Sequence, residues 1–293
     1  MLLAVPALRA LGAAAPRGPL VLAAQPRLAS LLRALGVVDR ALAFDALGLH
    51  LLFAGAAGPA RLPVLAQAER LVCWFGAGDP GFVARLRALV PGALVASPSG
   101  AGRPVWEHLL ASVGAAPEAR WRTPLEAPPA LVARGGHALG AAGWDGRRPV
   151  LLVHPGAGGA AKRWPAEGFA RVLERLAPDV ALAVHRGPAD AEPVARLRAR
   201  CRAPLLELGE PALEVLAGVL ARAIGYLGND SGVSHLAAAL GVPALVLFGA
   251  GNLAWVPWAP GARTAVVSTQ VLDEGDVGRV ADAMRDVLGR AES

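Results

Sequence analysis

Gly228-Asn229-Asp230-Ser231-Gly232-Val233-Ser234-His235-Leu236-Ala237-Ala238-Ala239-Leu240-Gly241-Val242-Pro243 is the stretch that decides how this chain folds. An apolar run, 223–227, precedes it and reads as a buried strand. Residues 234–240 read as a helix, and 243–248 as a second apolar strand. The polar residues therefore occupy a turn between the carboxyl end of a strand and the first turn of a helix. Ligands of open parallel sheets bind at that edge. A helix start also offers free backbone N–H groups and the positive end of the dipole, which suit a phosphate. Gly228 and Gly232 let the backbone approach a ligand closely. Asp230 and Ser231 add side-chain oxygens. The simpler alternative is that Asp230 or Ser231 only caps the helix. A single His235 on a helix is ordinarily a packed residue rather than a ligand.

A second stretch has the same form. His154-Pro155-Gly156-Ala157-Gly158-Gly159-Ala160-Ala161-Lys162-Arg163-Trp164-Pro165 follows the strand-like run 150–153 and precedes an amphipathic helix, 166–176. This is again strand, Gly-rich turn and helix, here with a cation in the turn. Lys162 is the one lysine in a chain with 29 basic residues, all the others being arginine. A compact ammonium differs from a guanidinium fork and serves as a point charge on a phosphate. The loop is not a P-loop, because its lysine does not stand in Gly-Lys-Ser/Thr.

Together the two stretches resemble glycosyltransferase family 9, the ADP-heptose:lipopolysaccharide heptosyltransferases. His-Pro-Gly-x-Gly followed by Lys-Arg-Trp-Pro, and Gly-Asn-Asp-Ser-Gly followed by His-Leu-Ala-Ala-Ala-Leu-Gly-Val-Pro, look like that family's marks in order and separation. Residues 3–11 look like its first helix, so the resemblance covers nearly the whole chain. It implies an α/β fold of GT-B architecture, two Rossmann-like domains facing one another across a cleft. The C-terminal half would hold the nucleotide sugar and the N-terminal half the acceptor.

Composition agrees with a globular enzyme. The chain has 293 residues, 54% of them apolar and 18% charged, enough for two domains with ample core. Net charge is +6 and the isoelectric point is about 10.7. The arginines are spread along the chain and aromatics are few, which argues against a nucleic-acid protein with a basic stripe and stacking aromatics. Nucleotide diphosphates and phosphorylated lipid headgroups suit the charge. Cys73 and Cys201 form no metal spacing and no disulfide framework, which favours a reducing compartment. No uninterrupted apolar run is long enough to span a bilayer. The apolar N-terminus lacks a basic n-region and is broken by Arg9, so it reads as an amphipathic helix of the fold. With the resemblance, this implies a cytoplasmic protein, peripheral to the inner membrane.

Taken in order, the first half alternates. We expect a helix at 2–11, a strand at 18–24, a helix at 27–35 and an edge strand at 37–44. Two short helices follow around Gly58-Pro59, at 47–57 and 60–68, then a buried strand at 71–75. A helix at 82–89, a strand at 93–97 and a helix at 104–113 complete the pattern of a parallel sheet covered by helices. Gly76-Ala77-Gly78-Asp79 stands where a ligand loop would stand, or Asp79 simply caps the next helix. His108 faces the ligand edge or is structural. The rhythm breaks at 117–148, where 131–139 can form a helix and Gly143-Trp144-Asp145-Gly146-Arg147-Arg148-Pro149 reads as a linker. The expected domains are therefore 1–144 and 149–293. In the second, strands at 150–153, 180–184, 204–208, 223–227 and 243–248 alternate with helices at 166–176, 190–200, 212–221 and 234–240. A last helix covers 275–290.

Gly187-Pro188-Ala189-Asp190 follows the second strand of that half. An acidic residue there can accept hydrogen bonds from a ribose diol, and the family often carries one nearby for the nucleoside. The alternative is that Asp190 caps the next helix. Gly249-Ala250-Gly251-Asn252 ends the last core strand and departs from the Gly-Pro-Thr of the family.

Sugar transfer from a nucleotide donor requires stabilising the leaving diphosphate and removing a proton from the acceptor hydroxyl. The turn Gly156, Ala157, Gly158, Gly159, the ammonium of Lys162 and the helix start at Ser231 and Gly232 supply the first need. Asp230 and His235 can hold sugar hydroxyls or a phosphate oxygen. No Asp-x-Asp motif occurs, so no metal ion and no cofactor are expected, with the nucleotide sugar, ADP-heptose, as substrate. The acceptor would be lipid-linked or a glycan. The family's base is an Asp in a Gly-Asp turn that follows its first strand. This sequence opens inside the helix, so strand, turn and Asp are expected to be missing and the base is unassigned. Three functions fit: an inverting heptosyltransferase, a catalytically silent nucleotide-sugar binder, and a nucleotide-sugar epimerase on the same scaffold. The missing Asp argues for the second. The short chain and the paired motifs argue against the third.

Overall fold

A computed structural model describes residues 1–14, 18–55 and 59–289. The chain divides into two compact units, the first from Leu3 to Trp121 and the second from Arg122 on. No helix among the described residues is long and apolar enough to cross a membrane.

The first unit opens with helix α1 (Val5–Ala14), which buries Val5, Ala7, Leu8 and Leu11. Strand β1 (Val21–Ala24), helix α2 (Pro26–Ala34) and strand β2 (Arg40–Ala43) form a right-sized β-α-β step, and β1 pairs with β2 in parallel from Val21↔Arg40 to Ala24↔Ala43. Pro26 starts α2, where a missing N–H costs nothing. Short helices α3 (His50–Phe53) and α4 (Pro63–Ala66) follow. Strand β3 (Val72–Cys73), helix α5 (Pro80–Leu89), strand β4 (Leu94–Val95) and helix α6 (Val105–Ser112) close the unit, with β3 and β4 parallel. Leu49, Leu52, Leu62, Leu65, Phe82 and Leu86 form its local core.

The expected elements exist here but are shorter. The strand at 71–75 is not buried: Val72 and Cys73 are half-buried and Phe75 is 43% exposed. Its only partner is the two-residue β4, so little covers it. The helix expected at 47–57 is a 3-10 turn, Phe44–Leu47, plus α3. Residues 56 and 57 of that expectation, and Gly58 of the break after it, lie outside the described residues.

The second unit begins upstream of the linker. Helix α7 (Pro129–Ala141) packs on helix α10 (Leu213–Leu220) so closely that a methyl on Gly218 would stand 1.8 Å from the Leu131 carbonyl oxygen, and one on Gly135 2.1 Å from the Gly218 carbonyl carbon. Leu125 N–H also donates to Ala239 O at 2.7 Å. These contacts correct the expected boundary at 144–149: the stretch from Arg122 belongs to the second unit.

That unit alternates strand β5 (Val150–His154), helix α8 (Ala166–Leu176), β6 (Ala181–Arg186), α9 (Ala191–Arg200), β7 (Leu205–Gly209), α10, β8 (Ala223–Asn229), α11 (Gly232–Ala239) and β9 (Ala244–Phe248). Strand β10 (Ala262–Val266) and helix α12 (Glu274–Gly289) end the described chain, and the expectation of helix at Arg290 lies outside it. The six strands are all parallel, in the order β10-β9-β8-β5-β6-β7. Counted from β5, this is the doubly wound order 3-2-1-4-5-6. Every residue of β5 and β9 is buried, as central strands covered on both faces should be. Edge strand β10 has no counterpart among the expected elements. Its half-exposed Ala-Arg-Thr-Ala-Val carries no apolar alternation, and Arg263 turns out to Asp286 at 3.2 Å.

Candidate functional site

The strand order reverses between β5 and β8, and the last residue of β5, His154, lies opposite Gly228, one short of the end of β8. The crevice at such a reversal is where doubly wound sheets bind ligands. Both stretches singled out in the sequence leave the sheet there: residues 155–165 after β5, and 230–231 before α11.

Asn229 joins them. Its Nδ2 donates to Pro155 O at 2.8 Å and its Oδ1 accepts Trp164 N–H at 2.9 Å, so one buried amide holds the loop at its first residue and at its last but one. Trp164 is 2% exposed and sits edge-on to Phe169 of α8, with ring centroids 5.2 Å apart. Between these anchors, Gly158 and Gly159 lie open, with no neighbouring atom where a side chain would begin. A short 3-10 turn, Ala160–Lys162, then presents the lysine.

Lys162 Nζ donates to Asp230 Oδ2 at 2.7 Å. Asp230 is 4% exposed at its side chain, Lys162 36%. His235 Nε2 lies 3.7 Å from the other carboxylate oxygen, beyond hydrogen-bond reach. Burial lowers the His235 pKa to about 4, although the Asp230 carboxylate opposes the shift, so the ring is neutral at pH 7. Its Nδ1 is buried without a partner. The site thus holds one cation and one anion in contact, beside a neutral imidazole, with the lysine the more exposed of the pair.

Ser231 takes the capping role. Its Oγ accepts Ser234 N–H at 3.3 Å at the start of α11, which leaves Asp230 free of that duty. Ser234 Oγ donates in turn to Asn229 O, so the buried Tyr226 hydroxyl donates to Ser234 Oγ at 2.8 Å. Gly228 serves this packing rather than a ligand: a methyl there would stand 2.2 Å from Tyr226 Oη. Gly232 is open, and the first N–H groups of α11 have no helical acceptor.

Other expected site residues are turned inward. Asp190 is 7% exposed; its Oδ2 accepts Gly187 N–H at 3.0 Å, and it makes no cap bond to α9. A methyl on Gly156 would stand 2.0 Å from Asp190 Oδ1, so the carboxylate packs against the loop backbone. The lack of a side-chain cap bond corrects the capping expectation for Asp190. Ala157 is buried as well, 5% exposed. Beside Asp190, His185 and His154 meet Nδ1 to Nδ1 at 3.1 Å, and His154 Nε2 lies 3.9 Å from Asp190 Oδ2. Burial pushes the His154 pKa down to about 4, against a hydrogen bond to the His185 carbonyl. Among the described residues these three are the group with metal-ligand chemistry; the two histidines are in contact, while the 3.9 Å from His154 to Asp190 is beyond hydrogen-bond reach.

In the first unit, Asp79 caps α5 through Phe82 N–H at 2.8 Å, the simpler of its two readings. His108 Nε2 meets Ser97 O at 2.9 Å and is structural. Sequence reasoning missed the Asn229 clamp and the buried histidine pair. A carboxamide ending a strand of apolar residues was the signal for the first.

The profile of glycosyltransferase family 9 (heptosyltransferase) matches residues 117–276. Lipooligosaccharide heptosyltransferase 2 of Haemophilus influenzae is 32% identical over 119 residues, 38% of this chain and 34% of that protein, so the match spans about a third of that relative's length. The E. coli ADP-heptose lps heptosyltransferase II superposes with a TM-score of 0.74 at 19% identity, covering 100% of this chain and 96% of that one. The glycosyl transferase family 9 protein of Veillonella parvula gives 0.74 at 16% identity, covering 99% and 93%. The fold is α/β of the GT-B type, as these two structures show. With more than half of its length matched by the family profile, this chain belongs to glycosyltransferase family 9, the heptosyltransferase family.

Proposed function

We propose that the chain transfers a heptose from ADP-heptose to an acceptor of the lipopolysaccharide core, with inversion and without a metal ion. The carrying observation is the ammonium of Lys162, 2.7 Å from Asp230 at the strand-order reversal, on a side chain that is 36% exposed. As the bond from the anomeric carbon to the phosphate oxygen breaks, charge grows on the diphosphate. Lys162, the open Gly158–Gly159 backbone and the α11 N-terminus offer positive potential to that charge. Asp230 holds the ammonium in place until the diphosphate takes it, and with His235 it then faces sugar hydroxyls. The acceptor oxygen attacks the anomeric carbon from the far face and gives its proton to a base. The family membership and the likeness to an E. coli ADP-heptose lps heptosyltransferase support this donor. The protein would act in the cytoplasm at the inner membrane surface.

The test uses the whole chain with ADP-heptose and a deacylated inner-core acceptor, following ADP release and ADP binding together. Turnover lost in Lys162→Ala supports the transferase. ADP binding without turnover would instead support a silent nucleotide-sugar binder. Neither binding nor turnover would sink the donor assignment.

A further inference from the structure

We infer that Trp255 forms the sugar subsite of the donor, stacking its indole face on a C–H face of the transferred pyranose. This rests on the nucleotide-sugar reading above and names a residue for the sugar end of that site. Trp255 ends the 3-10 turn Ala250–Trp255, which leaves the carboxyl end of β9 on the same sheet edge as Lys162 and α11. Its ring centroid is 5.9 Å from Lys162 Nζ, and the residue is 42% exposed.

The 3-10 turn contains no buried residue, so core packing does not account for this indole. The cation–π contact stands near the outer limit for such pairs, about 6 Å, and does not account for it either. Topology of the ligand decides which part of it Trp255 meets. The anomeric carbon is one oxygen away from the phosphorus that Lys162 would touch. The base lies beyond the second phosphate and the ribose. A group beside the ammonium therefore meets the sugar first. An indole offers a broad apolar face with a negative quadrupole, which attracts the slightly positive C–H bonds of a pyranose. Asp230 and His235 lie on the polar side of the same ammonium and suit the ring's hydroxyls.

Calorimetric titration of the whole chain with ADP and with ADP-heptose separates the possibilities. Trp255→Ala should leave ADP affinity unchanged and weaken ADP-heptose about tenfold, the scale of one lost stacking contact. Trp255→Phe should recover most of that loss. Lys162→Ala should weaken both ligands. An equal loss for both ligands in Trp255→Ala would overturn the inference, since Trp255 would then serve the base or merely hold Lys162. No loss for either ligand would overturn it as well. If the unmodified chain binds ADP but gains nothing from the sugar, the nucleotide reading survives and the sugar subsite does not. If it binds neither, both fail.

Discussion

The side-chain oxygen of Asn229 accepts the backbone N–H of Trp164 at 2.9 Å, while its amide nitrogen donates to Pro155 O at 2.8 Å. One side chain therefore fixes both ends of the loop that presents Lys162. Both loop groups are buried and have no water to fall back on. Asn229→Ala should cost about 2–4 kcal/mol, the sum of two unsatisfied backbone groups, read as a lower urea midpoint. It should also weaken ADP binding, because the loop would no longer be pre-set. Asn229→Asp keeps the acceptor for Trp164 but sets an anionic oxygen against Pro155 O, so it should not rescue. Unchanged stability in both variants would show that the loop is held by other contacts.

Lys162 and Asp230 form the site's one direct ion pair, and their burial is unequal. Removing the lysine leaves a carboxylate that is 4% exposed without its ammonium. Because the lysine end is 36% exposed and screened by water, the stability cost of Lys162→Ala should be modest, about 1–2 kcal/mol. Adding Asp230→Asn should return part of that stability while restoring no activity. Lys162→Arg should also fail to restore normal turnover, since a planar fork replaces a point charge. A double-mutant cycle in thermal unfolding, paired with turnover, checks both points. Full turnover in Lys162→Arg would show that only charge matters.

The second unit was legible because its physics is local. Continuous apolar runs such as 150–153 and 244–248 can only be strands buried on both faces, and the glycine-rich turns after them mark the ligand edge. Lys162 and Asp230 stood out as chemistry at strand ends, and the structure brings them into contact although they are 68 positions apart in sequence. Asp190 shows where that reasoning stops. An acidic residue after a strand has the same sequence signature whether it caps the next helix or holds its own loop, and the deciding fact is its bond from Gly187 N–H with Gly156 packed on the carboxylate. The domain boundary was lost for a similar reason. Gly143-Trp144-Asp145-Gly146-Arg147-Arg148-Pro149 suggested a linker, whereas the helix before it, through Gly135, touches α10. Edge strand β10 has too little burial to carry a pattern at all.

That helix contact gives its own prediction. At the crossing of α7 and α10 the backbones meet through Gly135 and Gly218, and a methyl on Gly218 would overlap the Leu131 carbonyl. Gly normally weakens a helix, so Gly→Ala at an open helical site should stabilise. Here overlap should outweigh propensity, and Gly218→Ala or Gly135→Ala should cost about 1–3 kcal/mol. Gly140, also in α7 but with open space around it, is the control and should gain roughly 0.5–1 kcal/mol. Thermal unfolding of the three variants suffices. Equal effects at Gly218 and Gly140 would mean that the helices do not meet in this way.

Two buried imidazoles set the acid limb of stability. Burial holds His154 and His235 to pKa values of about 4 in the folded chain, against an ordinary value of 6.5. Between those values the unfolded chain takes up a proton at each site and the folded chain does not. Stability is therefore complete above about pH 6.5 and falls as pH drops toward 4, by roughly 1.4 kcal/mol per pH unit for each histidine in mid-window. Carboxylates titrate in the lower part of the same range, so the total slope is not diagnostic. The difference between the unmodified chain and His235→Asn, or His154→Asn, isolates one imidazole each. Each variant should lose about one proton's worth of slope, whatever its absolute stability. Chemical denaturation at several pH values between about 7.5 and 4.5 gives those slopes. A slope unchanged in His235→Asn would mean that His235 protonates in place beside Asp230, and that the site carries an imidazolium at mildly acid pH.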